Sequence, residues 1–238
     1  MESMRSANAD IFNHDPDAAD YDNDVRNETD PIRTGYRDVL RWVVQQAQIT
    51  PNSRVLELGS GTGNLSELIA SCAELVSVDV SENMEAIARR KVRHLANRRF
   101  IKTDILEVFS QELGKFDAVI STYTVHHLTD QEKQRLFVLV FDHLVPSGVA
   151  VFGDLMVQNG SEKEENIQRY LARGDQATAQ GMSEEFFWSL DTAIPDLERL
   201  GFRVRVERFS DLSYGVIARK TTSLEPTPEK EQLLKSVV

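Results

Sequence analysis

The spacing of apolar residues along this chain switches repeatedly between a helical period and short continuous runs. Tyr36, Leu40, Val43, Val44 and Ala47 recur every three or four positions, marking one face of a helix that Pro51 closes. RVLEL (54–58) then reads as a short buried strand running into glycines, Asn64 to Cys72 as helix, and LVSVDV (75–80) as a second strand. Met84, Ile87, Ala88, Lys91, Val92 and Leu95 share a helical face, on which Lys91 is expected to lay its stem and carry its amine out to water. Phe100–Ile101 open a third strand ending near Asp104, and FDAVIST (116–122) is a fourth. Leu136, Leu139, Val140, His143 and Leu144 mark the helix after it, and PSG (146–148) turns into a fifth strand, GVAVFGD (148–154). Strands alternating with helices at this spacing predict βαβ units and a mostly parallel sheet.

The last third departs from that repeat. Residues 160–180 are polar and read as a helical insertion after strand five. Phe187, Leu190, Ile194, Leu197 and Leu200 form another apolar face, with Gly201 placed to end the helix. RVRVERFS (203–210) and SYGVIARK (213–220) are two strands joined by Asp211–Leu212, a link too short for a parallel crossover, so they pair antiparallel. The first thirty residues are polar and rich in Asp and Asn. They are expected to be a flexible segment or a lid held by Ile11, Phe12, Tyr21 and Val25, ahead of a domain spanning 31–220. The stretch 221–238 reads as a disordered tail.

Composition narrows the classes. A chain of 238 residues with 41% hydrophobic residues can build a large core unaided. Its one cysteine, Cys72, excludes an intrachain disulfide and Cys-clustered metal sites. No apolar run reaches the roughly 20 residues of a membrane span, and MESMRSANADIFNHDPD offers no signal-peptide core; a cytoplasmic protein is expected. Lys plus Arg number 27 against 38 Asp plus Glu, so the net charge of −11 disfavours nucleic acid as a partner. Arg89, Arg90, Lys91, Arg93, Arg98 and Arg99 cluster locally, a pattern more often a solvated helix face than a nucleic-acid groove.

The segment VLELGSGTGNLS (55–66) carries the most chemistry. Gly59, Gly61 and Gly63 follow a strand directly, where missing Cβ atoms permit positive φ and let a ligand approach the backbone. The spacing is GxGxG rather than the GxGxxG of dinucleotide folds, with Asn64 at the place of the last glycine, and no Gly-Lys-Ser/Thr follows to make a P-loop. Glu57 stands two residues ahead of Gly59, where a carboxylate repels a pyrophosphate and attracts an ammonium or sulfonium.

At these residues the chain resembles the class I S-adenosylmethionine-dependent methyltransferases, over about residues 30–220. ELGSGTG matches the E/D-x-G-x-G-x-G motif of that superfamily. Asp79, in SVDVSENM, matches the acid that takes both ribose hydroxyls. Asp104 and Ile105, in TDIL (103–106), match the acid that meets the adenine amino group and the residue packed on the ring. STYTVHHLTD after strand four and the closing hairpin also fit. Within the superfamily the chain is most similar to YrrT-type methyltransferases of bacilli, through AADYD, GTGNLS, HHLTDQEK and the GFRV ending. The resemblance implies an α/β, Rossmann-like class I methyltransferase fold: a mostly parallel seven-stranded sheet with a C-terminal antiparallel hairpin and helices on both faces. It implies S-adenosyl-L-methionine as cofactor, S-adenosyl-L-homocysteine as product and no metal. Its cofactor wall would comprise Glu57, Gly59, Ser60, Gly61 and Gly63, then Asp79, Val80 and Met84, then Asp104, Ile105, Ser121 and Thr122. Asp79 and Asp104 also have plainer readings, as caps of the helices starting near Ser81–Glu82 and at 105–112.

The partner implied is a small-molecule methyl acceptor, on a monomer or homodimer. His126 and His127 follow strand four, where an imidazole titrating near neutrality suits removal of an acceptor proton; His126 is the favoured base by comparison with the family, and one of the pair is expected to pack or cap the helix beginning at Thr129. Tyr21 is placed to fold its ring over the sulfonium, or to serve as a lid anchor. Tyr123, His127, Asp154 and Trp188, with Phe186 beside it, are expected at the acceptor. RNA or protein methylation, an NAD(P)-dependent oxidoreductase and a non-catalytic nucleotide-binding protein are the alternatives.

Overall fold

The computed structural model describes residues 5–9 and 18–221. Ile11 and Phe12, expected to pin a lid, and the tail beyond residue 221 lie outside the described residues. Five strands run parallel: β1 (Arg54–Leu58), β2 (Glu74–Asp79), β3 (Arg98–Lys102), β4 (Phe116–Thr122) and β5 (Leu144–Val157). A two-residue strand, β6 (Trp188–Ser189), pairs with the end of β5, and a hairpin of β7 (Phe202–Arg208) and β8 (Ser213–Lys220) completes the sheet. The order is β3-β2-β1-β4-β5-β8-β7, with β8 antiparallel to both neighbours. The expected seven strands are those of this path; β6 is an eighth. Because β1 lies between β2 and β4, the winding direction reverses there, opening a crevice beyond the carboxyl ends of those strands.

Period-two alternation sorts the strand residues onto two faces. Leu56, Leu58, Val76 and Val78 pack with Phe137 and Phe141 of α4 (Asp130–His143) and Leu197 of α7 (Leu190–Arg199). Val55, Leu75, Ala118 and Ile120 pack on the other face with Val39 and Val43 of α2 (Tyr36–Ala47). Helix α2 lies close on the sheet because Gly153 and Gly215 have no side chains. A Cβ at those positions would stand 2.3 Å from Val39 and 2.3 Å from Trp42 respectively. Thr129 caps α4 in a reciprocal box with Glu132, so neither histidine performs that task. Among the described residues no helix is long and apolar enough to cross a membrane.

Several expectations are corrected. The helix expected over 64–72 shrinks to a 3₁₀ turn at Ser66–Leu68. His94 Nε2 meets the Ile69 carbonyl at 2.8 Å, and the chain leaves extended toward β2. The helix expected at 105–112 is likewise a 3₁₀ turn, Glu107–Ser110. The 160–180 insertion is helical, divided into α5 (Gly160–Ala172) and α6 (Gln176–Glu184) by Gly174 in a left-handed conformation. Lys91, the last residue of α3 (Glu82–Lys91), turns inward instead of snorkelling: its Nζ lies 2.5 Å from Asp22 and 2.6 Å from Asn64 Oδ1. Its neighbour Arg89 pairs with Glu85 and covers Phe100, so part of the basic cluster stabilises the end of α3.

Candidate active site

The turn leaving β1 opens on a cavity with about 900 Å³ of space between its walls, part of it continuous with solvent. Gly59 and Ser60 both donate to the Val78 carbonyl, at 2.8 and 3.0 Å, tying the turn to the end of β2. Gly59 has φ +69°, and a Cβ there would stand 2.1 Å from the Thr124 hydroxyl. Gly61, at φ +49°, faces open space: nothing lies within 4 Å of its missing Cβ. The backbone therefore presents a bare surface to the cavity, as close ligand approach requires.

Two acids stand along this wall. Asp79, the last residue of β2, accepts from the N–H groups of Gly61 at 2.6 Å and Ser81 at 2.9 Å. It thus braces the glycine turn while lining the cavity; the Ser81 hydroxyl caps α3. Asp104 lies past β3 and accepts from Leu106 N–H at 2.9 Å, acting as a local cap while also lining the cavity. Its two oxygens also accept from the backbone and hydroxyl of Ser6, at 3.1 and 2.6 Å. Glu57 corrects an expectation, because its side chain does not reach the cavity. It points into the sheet, where Ser77 donates to it at 2.9 Å and its other oxygen is buried without a partner. Burial pushes its pKa up to about 7, against the lowering influence of the Ser66 and Ser77 hydroxyls.

The opposite wall follows β4. Thr122 lines the cavity, and Tyr123 lines it from a left-handed conformation at φ +49°, which costs a bulky residue about 1–2 kcal/mol. A hydrogen bond from its N–H to Gly153 at 2.9 Å and packing on Tyr36, centroids 5.1 Å apart, hold it there. The 3₁₀ turn Val125–His127 follows, and its two histidines part company. His126, the favoured base, is buried with Nδ1 2.5 Å from Asp154 and does not line the cavity. Asp154 also accepts from the N–H groups of Val125 and His126, so it organises this turn from within, and it does not line the cavity. His127 does line the cavity, with Nδ1 3.0 Å from Glu185. Burial and the neighbouring His126 push the His127 pKa down to about 4, leaving a neutral ring at pH 7. Glu185 is held below the ordinary carboxylate range: burial pushes its pKa up, and the His127 hydrogen bond with the two neighbouring imidazoles outweighs that. The ionised carboxylate accepts, so His127 carries its proton on Nδ1. His126, His127 and Glu185 bring potential metal-ligand atoms within 4.8 Å of one another. Trp188 is a further correction: it is fully buried against Phe137 and Phe152, with centroids 5.3 and 5.2 Å away. Phe186 is exposed.

The cavity is closed from the N-terminal side. Tyr21, the first residue of α1 (Tyr21–Asp24), lines it together with Tyr36. Asp22 clips α1 to the glycine turn by accepting from Thr62 at 2.5 Å and Asn64 at 3.0 Å, besides pairing with Lys91. Val80, Met84 and Ile105 line the cavity, whereas Gly63 and Ser121 lie behind it. Gly63 packs on Ala88, and the Ser121 hydroxyl donates to Leu58 O at 2.8 Å. Sequence reasoning missed Ser6, Tyr36, Thr62 and Asn64. The last two stand inside the glycine motif, and Tyr36 was visible only as a core position.

Comparison with known proteins follows the same lines. Residues 55–148 match the family described as methyltransferase domain. An uncharacterized methyltransferase of Bacillus pumilus is 30% identical over 214 residues, 88% of this chain and 96% of the relative. The uncharacterized methyltransferase YrrT of Halobacillus halophilus is 26% identical over 215 residues, 89% and 96% of the two chains. The N-methyltransferase NodS from Bradyrhizobium japonicum, in complex with S-adenosyl-L-homocysteine, shares the fold with a TM-score of 0.59. It is 16% identical, and the match covers 88% of this chain and 94% of NodS.

Proposed function

The chain belongs to the class I S-adenosylmethionine-dependent methyltransferases, and on that premise we propose that it transfers a methyl group to a small-molecule acceptor by in-line displacement. The observation that carries this reading is one cavity lined by bare Gly61, Asp79 and Asp104 on one wall and by Tyr21, Tyr123 and His127 on the other. The donor set fits a positively charged nucleoside: acids stand at both ends of the first wall, and the open face of Gly61 admits a ligand against the backbone. When bound, S-adenosyl-L-methionine supplies a methyl group carried on a sulfonium.

The residues of the chain would divide the remaining work. Asp79 holds the ribose hydroxyls while its backbone partners keep the glycine turn in shape. Asp104 takes the adenine amino group, exchanging Ser6 for it, and Ile105, Val80 and Met84 provide apolar surface. Tyr21 turns a ring face toward the positive charge, and Tyr21 to Val25 act as a lid that excludes water from the transfer. The base role expected of His126 passes to His127. His127 keeps its Nδ1 proton in the hydrogen bond to Glu185, which leaves Nε2 as the ring atom that carries a lone pair, on a ring that is neutral at pH 7. Asp154 holds His126, and through it the turn that carries His127. The net charge of −11 favours a small acceptor over nucleic acid, and the single cysteine suits a reducing cytoplasm.

Calorimetry with S-adenosylmethionine, S-adenosylhomocysteine and NAD tests the cofactor assignment. Micromolar binding of the first two alone is expected, and Asp79→Ala should weaken it at least tenfold. Unchanged affinity in that variant would remove the ribose role. A coupled assay of S-adenosylhomocysteine release against thiols, phenols, amines and carboxylates then identifies the acceptor class.

A further inference from the structure

The insertion after β5 folds back so that its last residues meet the histidine turn that follows β4. Phe186 N–H donates to His126 O at 3.0 Å, and Lys163 Nζ donates to Glu185 O at 2.8 Å, fixing this stretch from both sides. Glu185 thereby sets its carboxylate against two imidazoles: Oε2 lies 3.0 Å from His127 Nδ1 and 4.0 Å from His126 Nε2. The other edge of the buried His126 ring is settled, because Asp154 accepts from its Nδ1 besides two backbone N–H groups. With the hydrogen on Nδ1, His126 Nε2 carries a lone pair that faces a carboxylate. At 4.0 Å the contact is too long for a hydrogen bond, and two electron-rich atoms across a gap repel each other. A cation between them turns that repulsion into attraction.

We propose that His126 Nε2, His127 Nδ1 and the Glu185 carboxylate bind a divalent transition-metal ion of the zinc type. Two imidazoles and one carboxylate suit zinc or cobalt rather than magnesium, which favours an all-oxygen shell. Zinc holds such donors at about 2.0–2.1 Å, so tetrahedral neighbours stand about 3.3 Å apart. The separations of 3.0 and 4.0 Å bracket that value. Asp154 completes the arrangement from behind, since a carboxylate on the far nitrogen of a ligating histidine fixes its tautomer and aims the ring. The site also gives the insertion a task, which is to deliver the third ligand. On binding, the metal takes the place of the His127 Nδ1 hydrogen, which moves to Nε2 with no net proton released. The ion and a basic Nε2 therefore exclude each other, and occupancy switches off the base role of His127. Binding itself is independent of the methyltransferase reading; only this consequence for the base rests on it.

The test titrates untagged, chelator-treated protein with zinc, cobalt(II) and magnesium by calorimetry. One equivalent of zinc is expected to bind with micromolar affinity or better, and magnesium not at all. Cobalt should give the intense visible absorption of a four-coordinate ion. Glu185→Gln, at a partly exposed position, should weaken zinc at least tenfold, whereas Glu165→Gln on the exposed side of α5 leaves it unchanged. Nitrogen NMR of the wild-type rings reads the tautomers directly. Zinc should move the His127 hydrogen from Nδ1 to Nε2 and leave that of His126 on Nδ1. Zinc affinity weaker than millimolar overturns the proposal, as does full affinity in Glu185→Gln or an unmoved His127 hydrogen. Protein that takes zinc in this way but no S-adenosylhomocysteine keeps the metal site and loses the methyltransferase reading.

Discussion

Gly59 and Gly61 lie two residues apart in one turn, both at positive φ, yet they meet different surroundings. A methyl group on Gly59 collides with Thr124, whereas one on Gly61 projects into open cavity. Gly59→Ala is therefore expected to cost several kcal/mol, combining left-handed strain with overpacking. Gly61→Ala pays only the strain, about 1–2 kcal/mol, and folds. Its loss appears instead in cofactor affinity, by tenfold or more, since the added carbon occupies the surface a ligand would use. Urea unfolding and calorimetry on the two variants separate these outcomes, and equal stability losses would contradict the contrast. At this scale the glycine motif announced itself through spacing, but the roles of neighbouring residues did not. His126 and His127 are adjacent in a 3₁₀ turn, so one points inward to Asp154 and the other to the cavity. Nothing in the letters HH tells which.

Strands buried on both faces were the legible ones. β1 and β4 fall at the residues expected, because a run such as RVLEL buried on both faces admits one reading. Segments 64–72 and 105–112 misled because a few apolar residues at helical spacing fix a face but not a length. α1 was equally illegible: its attachment depends on Asp22 meeting Thr62, Asn64 and Lys91, all distant in the chain. Lys91 and the two amide and hydroxyl partners hold the Asp22 carboxyl below its ordinary pKa although burial opposes this. Asp22→Ala should unclip α1 while leaving the sheet intact. Hydrogen exchange at the Val25 amide, which donates to Tyr21 O, is expected to quicken tenfold or more, with no change in the amides of β1 and β4. Uniform acceleration would mean that α1 is part of the global unit rather than a separable cover.

For the whole molecule, two buried groups bend the pH dependence of stability in opposite directions. Glu57, raised from 4.5 to about 7, is best tolerated when protonated; its contribution is intact below pH 4.5 and is lost as pH rises through 7. His127, lowered from 6.5 to about 4, is best tolerated when neutral; its contribution is intact above pH 6.5 and is lost as pH falls through 4. Each is worth about 3 kcal/mol at full extent, so between pH 4.5 and 6.5 the two slopes nearly cancel. Urea unfolding across that window should be close to flat in the wild type. It should rise with pH in Glu57→Gln and fall in His127→Asn. Parallel curves for all three proteins would show that these groups titrate normally.

The two bare positions beneath α2 reach further than their place in the sheet suggests. Because Gly153 and Gly215 let that helix sink against the strands, the height of its first residue, Tyr36, is set by atoms that touch no ligand. Any bulkier residue at either position would jack the helix upward and tilt the Tyr36 ring off Tyr123. A substitution on the floor of the sheet would then be felt as a wider mouth for the acceptor.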